Sequence, residues 1–190
     1  MKEQIRLREL GAEDEERIFH IISQEKVIQY TLFPLMDREQ TKKFLKSSID
    51  EQAKKNRKYV NLAIALNESN MLIGLCGLVL NPAHEDAEVW YLLDPLYWNR
   101  GIATEAVECA LPKGFNDYHA HRIWATCLPD NPASSRVLDK AGFRREGFLK
   151  EHLKIRGDWK DCYLYAILDH EWQARTQDTR QSPRGTAEDR

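Results

Sequence analysis

Apolar and polar residues alternate through Ile5-Arg6-Leu7-Arg8-Glu9-Leu10, the period of a strand with one buried face. Over residues 14–23 the period changes, and Ile18, Ile21 and Ile22 fall on one stripe of a helix. Asp37 is placed to N-cap a second, highly charged helix ending near Lys55, with Thr41, Phe44, Leu45, Ser48 and Ile49 turned toward a core. Residues 59–66 and 71–80 predict two strands around the turn Asn67-Glu68-Ser69-Asn70. A strand over 87–93 then leads into a turn at Gly101 and a helix after Thr104, which Pro112 and Gly114 kink or end early. Residues 122–128, 143–150 and 163–168 predict further strands, with a short helix over 132–140 and a turn at Arg156-Gly157-Asp158. Strands first in hairpins and then alternating with helices argue for a mixed α/β sheet. From Ala174 onward the chain is polar, with nothing to bury, and a disordered tail over 174–190 is expected behind a single domain spanning 1–173.

The chain has 190 residues, enough to bury one substantial core, and 42% of them are hydrophobic. A net charge of −2 supplies no global field to draw in nucleic acid or an anionic membrane. No apolar run reaches the length of a membrane span, and the first residues lead straight into a strand rather than a signal peptide, so a cytoplasmic protein is expected. Cys76, Cys109, Cys127 and Cys162 form no Cys-x-x-Cys pair, and buried, reduced thiols are expected. His119-x-His121 lacks the accompanying carboxylate and His set of a metal site, so no metal is expected.

Two stretches carry candidate chemistry. In Pro95-Leu96-Tyr97-Trp98-Asn99-Arg100-Gly101-Ile102-Ala103-Thr104-Glu105-Ala106, a strand passes through a Gly turn into a helix start. The first N–H groups of a helix lack intrahelical acceptors, and the helix dipole favours an anion there. Gly101 can take positive φ or admit a ligand to the backbone, Ala103 keeps the wall small, and Arg100 brings a cation to the rim. An ordinary strand–helix connection would also use such residues. The second stretch is Asn131-Pro132-Ala133-Ser134-Ser135-Arg136-Val137-Leu138-Asp139-Lys140-Ala141-Gly142-Phe143.

Together these motifs resemble the GNAT superfamily of acyl-CoA-dependent N-acetyltransferases, and more narrowly its branch of RimJ/RimL-type ribosomal-protein acetyltransferases. The resemblance runs in order over residues 5–172. It implies an α/β (α+β) fold with a mixed, mostly antiparallel central sheet, flanking helices and two splayed parallel strands, here 87–93 and 122–128. Acetyl-CoA would enter that wedge, its phosphates on the backbone of Arg100, Gly101, Ile102, Ala103 and Thr104, with Arg136 and Lys140 as further cations. A backbone N–H at Leu92 or Leu93 would face the oxyanion. Asn131 would bridge the helix entry and the pantetheine amides, and Ser134 would contact CoA or serve its sulfur. Asp130, Asn131 and Ser134 are also all helix-capping residue types.

Glu88 matches a catalytic or water-positioning Glu of many members; it could equally face solvent beside Glu85 and Asp86. Glu146 is a second base candidate, though a surface pair with a neighbouring Arg fits it better. Trp98 stands where many members carry Gln or Arg, and Asn99 where the branch often has Gly; Asn tolerates positive φ better than most residues. The Tyr that many members use as general acid beyond the Asn-x-x-Ser region has no counterpart before Tyr163. Trp90, Tyr91, Trp124 and Trp159 suit either core or an acceptor pocket, and Trp90, where members often carry Gly, would narrow the acceptor cleft. Acceptor contacts are expected around 30–36 and the turn near Gly157.

The resemblance therefore implies direct transfer from acetyl-CoA to a primary amine, with no covalent intermediate. A protein N-terminal α-amine leads as acceptor, with a polyamine, amino acid or antibiotic as alternatives. The implied partners are acetyl-CoA and that amine, without nucleic acid or membrane, and pairing into a homodimer is left open. Two other readings are a catalytically silent acyl-CoA-binding module and a structural α/β domain without CoA.

Overall fold

The structure, a computed structural model, describes residues 4–181, the side chains of 178–181 excepted. Among these residues seven strands form one sheet: β1 (Ile5–Glu9), β2 (Tyr59–Leu66), β3 (Leu72–Asn81), β4 (Asp86–Leu93), β5 (Arg122–Cys127), β6 (Arg144–Ile155) and β7 (Asp158–Leu168). Their spatial order is β1-β2-β3-β4-β5-β7-β6, and every neighbouring pair is antiparallel except β4 and β5. Among the described residues six α-helices flank it: α1 (Glu15–Ile22), α2 (Glu25–Ile28), α3 (Arg38–Gln52), α4 (Ile102–Pro112), α5 (Pro132–Ala141) and α6 (Asp169–Gln181).

Both faces of the sheet are covered, which explains why β3 reads as a nearly unbroken apolar run. On one face Ile18, Ile21 and Ile22 of α1 and Leu45 of α3 pack on Ala63, Leu75 and Leu92. Each fully buried isoleucine stabilises the fold by about 2 kcal/mol. On the other face Ile102, Ala106, Val107 and Ala110 of α4 and Leu138 of α5 pack on Ile64, Ile73, Leu78 and Val89. Helix α3 starts where expected, in a capping box: Asp37 accepts the Gln40 N–H and the Gln40 side chain accepts the Asp37 N–H.

Several elements differ from the sequence reading, among them the short helix α2, which it did not contain. Helix α4 stops at Pro112, but the chain continues as a π-helical turn (Lys113–Asp117). Gly114 permits it, because a Cβ there would lie 2.5 Å from Ile123. The β6–β7 hairpin is far longer than 143–150 and 163–168, since its outer half is an exposed, mostly polar arm with a register shift between Leu149 and Leu153. Helix α6 runs to Gln181, past the expected start of the tail at Ala174; part of its hold is Trp172 stacked on Phe115, at 5.2 Å between ring centroids. Residues 182–190 lie outside the described part. Among the described residues, no helix is long and apolar enough to cross a membrane.

Candidate acetyl-transfer cleft

The parallel pair is short. β4 and β5 are in register only at Asp86–Arg122, Ala87–Ile123 and Glu88–Trp124, and then the strands part. The opening between them is a cleft of about 790 Å³ lined by the end of β4, the start of α4, the start of α5 and residues 26–27 and 29–33.

Strand alternation sorts the β4 side chains. Glu88, Trp90 and Leu92 face α1 and α3, whereas Val89, Tyr91 and Leu93 face α4 and α5. The backbone alternates too. Asp94 N–H donates to Ile73 C=O at 2.9 Å, so Leu92 N–H also points to β3 and Leu93 N–H points to the opening. Of the two expected oxyanion donors, Leu93 therefore has the N–H available to the cleft. Trp98 fixes this corner by donating its indole N–H to Leu93 C=O at 2.8 Å. Buried Asp94 adds a second anchor, accepting from Arg17 at 2.9 Å and from Leu96 N–H at 3.1 Å.

The turn that follows has the backbone a phosphate cradle requires. Asn99 and Gly101 both take left-handed conformations, φ 59° and 79°. A Cβ on Gly101 would meet nothing within 4 Å, so the space before the helix start is open. Ile102, Ala103 and Thr104 line the cleft there as the first turn of α4, whose N–H groups lack intrahelical acceptors. Arg100 does not line the cleft; its guanidinium lies over the Tyr97 ring at 5.4 Å. Arg136 and Lys140 do line it.

Asn131 is the N-cap of α5, its side chain accepting the Ser134 N–H at 3.2 Å. Ser134 is thereby free of the capping role, and its hydroxyl meets Tyr91 Oη at 2.7 Å. That contact was not anticipated from the sequence. The signal was present in the alternation, which turns Tyr91 to the same face as Val89 and Leu93 and so toward α5.

Glu88 lines the cleft rather than facing solvent with Glu85 and Asp86. Among the described residues no donor or cation pairs with its carboxylate, and burial alone pushes its pKa above the ordinary value. Glu146 is excluded as a base on geometry: it pairs with Arg122 at 2.6 Å and Arg144 at 3.0 Å, which hold its carboxyl below the usual range. Trp90 packs against Phe33 at 5.0 Å between centroids. Trp124 donates to Asp86 at 3.2 Å, and Trp159 is exposed on the hairpin arm. Tyr30, Thr31, Leu32 and Phe33 form the wall opposite β4, joined by Leu153, whereas Gly157 does not line the cleft. Arg156, beside Gly157, holds that wall by donating to the carbonyls of Ile28, Gln29 and Phe33.

Cys76, Cys127 and Cys162 are buried, but Cys109 is exposed, contrary to expectation; all four are free thiols. Among the described residues no group of three His, Cys, Asp or Glu is placed to hold a metal; His121 pairs with Asp169 at 3.3 Å.

The profile of the family described as "Acetyltransferase (GNAT) domain" matches residues 4–144. A Bacillus subtilis protein described as the uncharacterized N-acetyltransferase YnaD is 32% identical over 166 residues, 87% of this chain and 94% of that one. Two Escherichia coli enzymes match over shorter stretches. The [ribosomal protein uS5]-alanine N-acetyltransferase is 33% identical over 82 residues, 43% of this chain and 42% of that one. Spermidine N(1)-acetyltransferase is 28% identical over 102 residues, 53% and 55% of the two chains. The crystal structure of a GNAT-family acetyltransferase from Bacillus anthracis superposes with a TM-score of 0.77 at 32% identity, covering 90% of this chain and 98% of that one.

Proposed function

The chain belongs to the acetyltransferase (GNAT) domain family and is an acetyl-CoA-dependent N-acetyltransferase; we propose that its acceptor is a single primary amine carried on an apolar neighbour, foremost the α-amine of a protein N-terminus. The observation that carries this reading is the half-buried, unpaired Glu88 beside Trp90 on β4, facing a wall in which Tyr30, Leu32, Phe33 and Leu153 outnumber the polar Lys26, Gln29 and Thr31. An extended polyamine needs anionic or polar partners along its length. The cleft's carboxylates are Glu88 and Asp130, the latter next to the N-cap of α5, and Lys26 adds a cation on the wall opposite β4. The similarity to an enzyme acting on the alanine of uS5 fits this preference, while the similarity to a spermidine acetyltransferase keeps a small amine as the competing outcome.

In this reading the turn from Asn99 to Thr104 receives the anionic phosphates, with Arg136 and Lys140 on the cleft wall. Glu88 takes the proton that the attacking nitrogen must lose, directly or through water; burial raises its pKa and so makes it a better proton acceptor than an exposed carboxylate. Leu93 N–H donates to the oxyanion of the tetrahedral adduct. Ser134 serves the departing sulfur from the α5 side. The amine attacks the thioester carbon, the C–S bond breaks, and the amine proton leaves to Glu88.

Incubation with acetyl-CoA and a mixed pool of peptides and small amines, read by mass spectrometry, tests the acceptor. Peptides acetylated at the α-amine are expected. Acetylation confined to polyamines or other small amines would overturn the N-terminal assignment. CoA binding without any product would support the silent module instead.

A further inference from the structure

We propose that Tyr91 is a positioning residue for the Ser134 hydroxyl, holding it so that its proton is offered to the sulfur of CoA; this rests on the reading of the cleft as the acetyl-CoA site. Ser134 is fixed at three atoms. Its N–H is taken by Asn131 Oδ1 at 3.2 Å, its Oγ meets Tyr91 Oη at 2.7 Å, and Tyr91 Oη also lies 3.3 Å from its carbonyl oxygen. The two partners come from opposite sides of the opening, Tyr91 from β4 and Ser134 from α5, so this contact ties the walls of the cleft together.

A serine hydroxyl has one proton and accepts through two lone pairs. In the Tyr91–Ser134 pair either oxygen can donate while the cleft holds a neutral thioester. Once negative charge builds on sulfur, the arrangement that brings the serine proton to it has Tyr91 donating to Ser134 Oγ and Ser134 donating to sulfur. In that arrangement Tyr91 leaves the serine no better use for its proton than the leaving group. Burial drives the phenol pKa upward, so Tyr91 stays protonated and available as a donor to Ser134 Oγ. Simple packing would ask only for a ring of this size, which phenylalanine supplies.

The test uses CoA itself and needs no acceptor. CoA and desulfo-CoA are bound to the protein across a pH series, and the ultraviolet thiolate band is taken as the difference between the two complexes. The bound thiol is expected to ionise at lower pH than free CoA. Tyr91→Phe and Ser134→Ala are each expected to leave about tenfold less thiolate at a given pH, the scale of one hydrogen bond to a charged group. The double variant should lose no more than either single one, because the two act as a unit. Desulfo-CoA affinity, measured by calorimetry, should stay within about twofold, since that ligand lacks the atom served. Wild-type titration in Tyr91→Phe beside a shift in Ser134→Ala would reduce Tyr91 to packing and overturn the proposal. No shift in Ser134→Ala would overturn it whatever Tyr91→Phe does. Failure of the wild-type protein to bind desulfo-CoA would instead strike the cleft assignment, a separate and visible outcome.

Discussion

Trp90 lies flat across Gly77 of the neighbouring strand: a Cβ on Gly77 would come 2.5 Å from the indole. The missing side chain on β3 makes room for the large one on β4. The same indole packs on Phe33, and these two rings stand between the main cleft and a smaller cavity of about 260 Å³ bordered by Phe44, Ser48, Glu51 and Asn61. In the proposed reading Trp90 is thus a partition on the acceptor side. Trp90→Gly is expected to join the two cavities and admit bulkier amines, while costing about 2–3 kcal/mol of stability for a half-buried ring. Acceptor profiling against amines of graded size checks it; an unchanged preference would remove Trp90 from specificity. Gly77→Ala should push the ring toward Phe33 and cost about 1–3 kcal/mol by overpacking.

At Gly101 the constraint is dihedral rather than steric, since φ is 79° and no atom waits within 4 Å of a Cβ. Gly101→Ala is expected to cost about 1–2 kcal/mol of stability for a left-handed alanine. Gly101→Val should cost more and also fill space the cradle leaves open. Loss of CoA affinity should therefore exceed the loss of stability in the valine variant, read by calorimetry beside thermal unfolding. Unchanged CoA affinity in a folded Gly101→Val protein would remove the phosphates from this turn.

Much of this architecture could be read from local patterns. The stripe of Ile18, Ile21 and Ile22 and the cap at Asp37 are short-range features that recur in the structure, and of the three capping types Asp130, Asn131 and Ser134 the cap falls to Asn131. The outer part of the β6–β7 hairpin was illegible because an exposed arm needs no apolar alternation, and Trp159 there lies largely in solvent. Helix α6 was illegible for a related reason: its polar sequence is held at few points, Trp172 on Phe115 and Glu171 with Arg144 among them. At the site, Gly101, Asn131 and Glu88 stood out because their residue types carry meaning at fixed spacing. Tyr91 with Ser134, 43 positions apart, and Arg156 with Ile28, 128 apart, are meetings that only the fold creates.

Arg156 should matter for the acceptor and not for CoA. Its guanidinium reaches the Ile28 carbonyl at 2.9 Å and the Gln29 carbonyl at 3.2 Å, fastening the turn of the hairpin to the wall formed by residues 29–33. Arg156→Ala is expected to raise the acceptor KM several-fold, with CoA affinity unchanged and stability lowered by about 1 kcal/mol. Lysine cannot span several carbonyls with one ammonium, so Arg156→Lys should restore little. Faster amide exchange over 28–33 in the variant is the structural check; unaltered exchange there would mean that the wall holds itself.

Glu88 gives the sharpest pH dependence, in activity and in stability together. In the proposed reading Glu88 is the base and must be ionised, so kcat/KM should rise as pH climbs through its elevated pKa, and Glu88→Gln should lose that limb with about 10²–10⁴ of the rate. The stability effect has the opposite sense. A carboxyl whose folded pKa lies above the ordinary 4.5 binds more protons folded than unfolded, so its contribution is full below 4.5 and is lost as pH rises through the folded value. Above the folded pKa the protein therefore carries a half-buried, unpaired carboxylate, and Glu88→Gln is expected to be the more stable protein there. That gap should close as the pH is brought down toward 4.5. Thermal unfolding of the two proteins across this range, beside pH–rate profiles, decides the matter. A variant stabilised equally at every pH would point to packing, and one destabilised at neutral pH would mean that the carboxylate has a partner in the folded protein.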